Sequence, residues 1–185
     1  VRVYEYLPNE NAVVMEYIKG VELREVIDTL NEKAEKIFVD SAVEIGCELA
    51  DALYYAYTSL GRNGKPLQLV HRDIKPENIM IRRGEYLLSD FGMLIQRDSA
   101  TVPIGMDLWC PPEYISPEYL SAEDDISSKS DVYSLGIVLY ESVCNENPYD
   151  GQSPASSMFR QMNLDPPGLT EIDGSISDNF SNVVI

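Results

Sequence analysis

Apolar residues open the chain in short extended runs and then change to helical spacing. Val1 to Tyr6 and Ala12 to Ile18 read as β-like segments parted by Leu7-Pro8-Asn9-Glu10-Asn11, whose proline and asparagines suit a hairpin connection. Val21 to Lys33 reads as a short amphipathic helix. A longer one follows, in which Phe38, Ala42, Ile45, Leu49, Leu53, Tyr57 and Leu60 repeat every three to four residues and form a core stripe. Gly61 and Gly64-Lys65-Pro66 end that helix, and Leu67 to Val70, Ile79 to Ile81 and Tyr86 to Leu88 read as small strands framing loops. Between Asp90 and Glu118 periodicity fades, which marks a candidate moving loop. Val132, Leu135, Leu139 and Val143 then mark a buried helix, a loop-rich tail punctuated by Pro and Gly follows, and Ser177 to Ile185 starts one more apolar-periodic segment.

Composition narrows the class. The 185 residues suit one domain, 44% apolar and 24% charged, and 14 basic against 31 acidic side chains leave a formal charge of −17. Such a surface repels nucleic acid and anionic lipid. An acidic domain that binds a nucleotide must neutralise phosphate locally, which directs attention to magnesium and a few placed cations. Cys47, Cys110 and Cys144 are odd in number and far apart, so free buried thiols are expected rather than disulfides or a metal site. No apolar run is long enough to cross a bilayer, and a cytoplasmic location is expected, compatible with a membrane anchor outside these residues.

The chemistry concentrates in His71-Arg72-Asp73-Ile74-Lys75-Pro76-Glu77-Asn78, followed after two small strands by Asp90-Phe91-Gly92. Phosphoryl transfer needs a carboxylate to orient and accept the proton of a hydroxyl, a cation beside the transferred group, and oxygen ligands for magnesium. Asp73, Lys75, Asn78 and Asp90 supply that set. An isolated Asp before Ile would be a turn or cap, but eight ordered matches followed by a second spaced motif are far more specific.

In these motifs the chain resembles the eukaryotic-like Ser/Thr protein kinase family, over essentially its whole length. The resemblance implies an α+β kinase-like fold, mainly the helical C-terminal lobe with remnants of the small-lobe sheet and the hinge. It implies ATP and Mg2+ as cofactors and a protein substrate with a Ser/Thr acceptor. Asp73 becomes the catalytic base, Lys75 the phosphate-side cation, and Asn78 with Asp90 the metal ligands. His71, the only histidine, invites reading as a general base, but the resemblance makes it structural, stacked beside Phe91. Arg72 before the Asp implies control through the following loop, with Ser99 and Thr101 as candidate phosphosites.

The resemblance extends to Val13-Val14-Met15-Glu16-Tyr17-Ile18-Lys19-Gly20 as the adenine-holding strand and hinge, Met15 standing at the gatekeeper position and backbone groups of Glu16 and Ile18 pairing with the base. Glu22 would face the ribose or a basic substrate residue. Glu77 joins the nucleotide-side set, and Met80 would lie beneath the adenine, although an ordinary core methionine needs no ligand. Downstream, Ser116-Pro117-Glu118 fits the family's Ala-Pro-Glu position better than Pro112-Glu113, because it precedes Asp131-Val132-Tyr133-Ser134-Leu135-Gly136 by about a dozen residues. Asp131 is then the residue that braces the catalytic loop, and Tyr114 falls where the family has its Tyr. Cys110-Pro111 replaces the family's Gly-Thr step, a departure that bears on substrate class, whereas Lys75 favours Ser/Thr specificity. Glu123-Asp124-Asp125 reads as a solvated loop, and Trp109 as packing of the same segment or the wall of a peptide groove.

A Gly-rich phosphate loop and an upstream Lys–Glu pair are absent from these residues, so the expected organisation is an incomplete kinase domain: 1–18 the end of the small-lobe sheet and hinge, 19–185 a helical lobe cut before its last helices. Very low activity is expected of the isolated chain. The competing reading is a kinase-like scaffold or regulator without catalysis. The oligomeric state is not legible.

Overall fold

β1 (Val3–Leu7) and β2 (Ala12–Met15) form an antiparallel hairpin with Leu7 opposite Ala12 and Val3 opposite Met15, irregular between Val3 and Glu5. The computed structural model describes residues 1–7, 9–10, 12–61, 63–90, 111–120 and 127–185. A second sheet has the order β3 (Val21–Glu22), β4 (Ile79–Arg82), β5 (Glu85–Leu88), all antiparallel. The α-helices among the described residues are α1 (Leu23–Glu32), α2 (Val39–Thr58), α3 (Pro117–Leu120), α4 (Ser128–Cys144), α5 (Pro154–Asn163), α6 (Leu169–Ile172) and α7 (Asp178–Val184). This is an α+β fold of helices with two small antiparallel sheets, as the sequence implies.

α2 packs on α4 through Ala42, Ile45, Leu49 and Leu53 on one side and Leu135, Val138, Leu139 and Val143 on the other. Leu23 and Ile27 of α1, with Ile74, Ile79 and Leu88, extend the same core to the sheet. Serine caps start three helices: Ser127, Ser153 and Ser177 accept the N–H groups of Lys129, Ser156 and Phe180, satisfying donors that the first helical turn leaves open. Beyond α4, Asn145 takes a left-handed conformation and its side-chain amide donates to the Glu35 carbonyl at 2.6 Å.

Several expectations need correction. Val21 and Glu22 are strand rather than helix, because their backbone pairs with Ile81 and Met80 before the helix begins. Phe38 and Leu60 flank α2 instead of lying on its buried stripe, and Phe38 is 83% exposed. Val132 is 61% exposed, since the first turn of α4 turns Ser130 and Asp131 inward in its place. Leu67 to Val70 pairs into no sheet, although Val70 is buried. The tail carries α5 and α6, whose start after Pro and Gly masks their periodicity. Cys144 is buried and free, its thiol pushed up to about 11 by burial, but Cys47 is exposed. Phe91, Gly92, Ser99, Thr101, Trp109, Cys110 and Glu123-Asp124-Asp125 lie outside the described residues.

Gly20 controls how the hairpin enters the second sheet. A Cβ at this position would sit 2.3 Å from the Ile81 carbonyl oxygen, a backbone atom that cannot rotate away. Gly20→Ala is expected to destabilise the protein by about 1–3 kcal/mol through this clash, measured by denaturant unfolding. A change within about 0.5 kcal/mol would show that the two strands do not approach as described.

Candidate active site

The segment 71–78 is pinned from beneath by its own alternation. Val70, Ile74 and Pro76 are buried, and His71, Asp73 and Asn78 are the buried polar groups between them. Pro76 opens a single 3-10 turn, Pro76–Asn78, where its fixed φ suits the first position. The turn carries Asn78 back over Asp73. The Asn78 side-chain amide donates to both the Asp73 carbonyl and Asp73 Oδ2, each at 2.7 Å. Lys75 Nζ lies 3.0 Å from Asp73 Oδ1. That approach is an ion pair outside hydrogen-bonding directions, so Oδ1 remains a buried oxygen without a hydrogen bond among the described residues.

The neutral form of His71 follows from its neighbours. Nε2 stands 2.9 Å from the Ser89 carbonyl, which can only accept, so this nitrogen carries the proton. Nδ1 accepts the Asp73 N–H at 3.3 Å. Burial lowers the imidazole pKa below its ordinary value, outweighing the Ser89 bond and the nearby carboxylates that favour the charged ring. The ring is thus a spacer between the loop and the end of β5. Phe91, its expected stacking partner, is outside the described residues.

Arg72 holds φ +68, a left-handed conformation unusual for a side chain of this size. Asp131, 2% exposed, sets it: Oδ2 accepts the His71 N–H at 2.7 Å and Oδ1 accepts the Arg72 N–H at 2.8 Å. Asp131 belongs to the first turn of α4. The brace implied by the family resemblance therefore has a physical form, two charge-assisted bonds to successive backbone groups.

β4 and β5 bring the remaining residues alongside. Ile79 pairs with Leu88, and Ser89 donates from both its N–H, at 2.8 Å, and its Oγ, at 3.0 Å, to the Asn78 carbonyl. Exposed Asp90, at φ +55, follows directly. Met80 lies on β4 opposite Glu22 of β3, so the sheet joins those two candidates two residues beyond Asn78. Met15 ends β2. Glu16 gives its N–H to the Arg2 carbonyl at 2.8 Å, and Arg82 Nη1 lies 2.6 Å from its Oε1, which holds the carboxyl below its ordinary range. Ile18 is buried. The Glu77 carboxylate turns away from this group toward Arg24, whose Nε donates to its Oε1 at 3.0 Å.

Residues 111–118 sit beside the loop. Gln161 of α5 donates to the carbonyls of Glu113 and Ile115, Ser134 donates to the Tyr114 carbonyl, and Ser130 donates to Glu118 Oε1 at 2.7 Å. Arg24 and Glu141 were not singled out in the sequence. Their only advance signal was a Glu inside the apolar run Gly136–Val143. Among the described residues no three His, Cys, Asp or Glu side chains converge as a metal cluster. Oxygen donors suited to a hard cation are nevertheless present: Asn78 commits its NH2 to Asp73, which leaves its amide oxygen, and Asp90 is solvent-facing.

A family model described as the protein kinase domain matches residues 1–182. The chain is 30% identical over 175 residues to the serine/threonine-protein kinase PrkC of Bacillus subtilis (strain 168), covering 94% of this chain and 25% of that protein. Against the serine/threonine-protein kinases PknB of Mycobacterium leprae and Mycobacterium tuberculosis (strain H37Rv), identity is 33% over 175 residues and 34% over 176, with 94% of this chain and 26% of each relative covered. The chain thus spans about a quarter of the length of these curated relatives.

Asp131→Ala is expected to cost about 2–5 kcal/mol in chemical denaturation, because two buried backbone N–H groups lose their acceptors. Asp131→Asn, which keeps one acceptor oxygen, is expected to cost less. Equal stability of Asp131→Ala and wild type would refute the brace. His71 gives a pH prediction. The unfolded ring takes up a proton near pH 6.5 that the folded ring resists, so stability falls as pH drops below 6.5 toward the folded-state pKa. Ring NMR of this single histidine is expected to titrate below 6.5; a midpoint at or above that value would contradict its buried neutral state.

Proposed function

We propose, from the premise that this chain belongs to the protein kinase family, that the full-length protein transfers the γ-phosphate of ATP to Ser or Thr hydroxyls of a protein substrate. Residues 1–18 are assigned to the small-lobe strand pair and hinge, and 19–185 to the helical lobe. The carrying observation is the state of the Asp73 carboxylate, with Oδ2 held by Asn78 and Oδ1 beside Lys75 but without a hydrogen bond among the described residues. A carboxylate fixed through one oxygen, with the hydrogen-bonding capacity of the other unused among the described residues, is what a positioning base requires.

In this reading Asp73 orients the substrate hydroxyl and accepts its proton as phosphorus–oxygen bond formation proceeds. Lys75 places positive charge beside the transferred group. Asn78, through its amide oxygen, and Asp90, through its carboxylate, would hold magnesium, which supplies neutralisation of phosphate charge when bound. Backbone groups of Glu16 and Ile18 would meet the adenine, with Met15 behind it and Met80 beneath, and Glu22, which pairs with Met80, would face the ribose. The Glu77 contribution is to the walls of the site, since its side chain is engaged by Arg24. The reading locates the activity in the cytoplasm, compatible with a membrane anchor outside these residues. No helix among the described residues is long and apolar enough to cross a membrane.

The test is magnesium-dependent incorporation of phosphate from ATP into a mixed Ser/Thr protein substrate by the full-length protein. Asp73→Asn is expected to lower kcat at least about 100-fold without loss of fold. Equal turnover by wild type and variant would remove Asp73 from the chemistry. A folded wild type that incorporates nothing under these conditions would favour the scaffold reading.

A further inference from the structure

Arg24 lies on α1, 22% exposed at its side chain, and its guanidinium is shared among three elements. Nε donates to Glu77 Oε1 at 3.0 Å, Nη1 to Glu141 Oε1 at 2.8 Å and Nη2 to the Tyr114 hydroxyl at 2.7 Å; a longer contact of 3.5 Å reaches Asp28. The Tyr114 hydroxyl in turn donates to Glu141 Oε2. Burial opposes the guanidinium's charge, but the Glu141 bond and the surrounding charges outweigh it and raise its pKa. A planar cation with donors in a fixed fork fits this gap between two carboxylates, and a lysine would not reproduce it.

The position of this cluster matters more than its strength. Glu77 is the residue before Asn78, so the fork sits one step from the group holding Asp73, on the side where Tyr114 lies. A polar cavity of about 530 Å³ opens there, with Glu113, Glu141, Glu146 and Asp150 against Arg24 and Arg160. Burial, the largest cause, raises the Glu113 pKa against a backbone hydrogen bond that lowers it, and the charges of Asp150, Glu141 and Glu77 add to the rise. Glu77 Oε2 is buried and has no hydrogen bond among the described residues, so Arg24 answers only one oxygen of this carboxylate.

Resting on the kinase reading, we propose that Arg24 determines substrate specificity by occupying, from within the chain, the acidic site between Glu77 and Glu141 that a basic side chain of the substrate would otherwise enter. The wild-type protein therefore does not select an arginine at that subsite. Removing Arg24 vacates a place for a guanidinium beside the catalytic loop, bounded by two carboxylates and a tyrosine hydroxyl.

The experiment compares full-length wild type, Arg24→Ala, Arg24→Gln and the double variant Arg24→Ala/Glu141→Gln on Ser/Thr peptides with one arginine or alanine scanned through each flanking position. The readout is the Arg/Ala ratio of kcat/KM, which a uniform loss of stability or activity does not move. At one or more positions Arg24→Ala is expected to raise this ratio by about tenfold over wild type, and the double variant to lose most of that gain. Arg24→Gln, which keeps side-chain donors, covers the case in which the alanine variant fails to fold, with a smaller gain expected. Fluorescence-polarisation binding of the same peptides is run in parallel. No phosphate incorporation with a gain in arginine-peptide binding would sink the kinase reading and keep the role of Arg24. Incorporation by wild type with an unchanged ratio in folded Arg24 variants, or an arginine preference in wild type that disappears in Arg24→Ala, would overturn the inference.

Discussion

Asp131 is a carboxylate taken almost wholly out of water, and its two oxygens meet the N–H groups of His71 and Arg72. A buried charge of this kind is tolerated only when its lone pairs are answered, and here the answer is the backbone of the loop that leads to Asp73. The exchange stabilises both partners: α4 keeps an acid near its N-terminus, where the helix dipole favours it, and Arg72 is held in a conformation that costs about 1–3 kcal/mol on its own. From that fixed corner the loop runs to Asp73, and the turn at Pro76 returns Asn78 to it. The register of β4 with β5 then brings Ser89 to the Asn78 carbonyl and sets where Asp90 begins.

A chain with a formal charge of −17 has to spend its cations selectively. Several of them pair with carboxylates, locally or between distant segments. Lys75 faces Asp73 within the proposed site, Arg82 ties the end of β4 to Glu16 just after β2, and Arg24 joins α1 to Glu77 and Glu141. Their environments separate their meanings. Arg82 and Glu16 are on the surface, where screening leaves little net stabilisation, so that pair is better understood as setting where the segment after β2 meets β4. Arg24 and Glu141 are sheltered and share hydrogen bonds with Tyr114, so their geometry is specified by the packing around them.

Much of the protein was legible in its residues. The hairpin, the two strands after the loop and the two long helices follow from local periodicity, and the string from His71 to Asn78 announces phosphoryl-transfer chemistry because its spacing is local and ordered. Misreadings cluster where a neighbour in space overrode local pattern. Val21 and Glu22 are apolar and acidic enough to begin a helix, yet pairing with β4 makes them a strand. Val132 carries the right spacing for the core, but the inward turn of Asp131 leaves it in solvent.

By itself the sequence determined the family, the α+β class and the identity of Asp73, Lys75, Asn78 and Asp90 as candidates, since these reside in contiguous motifs and short-range periodicity. Only the tertiary structure decided which partner each charge takes. Asp131 reaches back 60 residues to His71, and Arg24 spans 53 residues to Glu77 and 117 to Glu141. The physical reason is that a buried charge is satisfied by whatever the packing of helices and strands brings within about 3 Å, and chain separation carries almost no information about that distance.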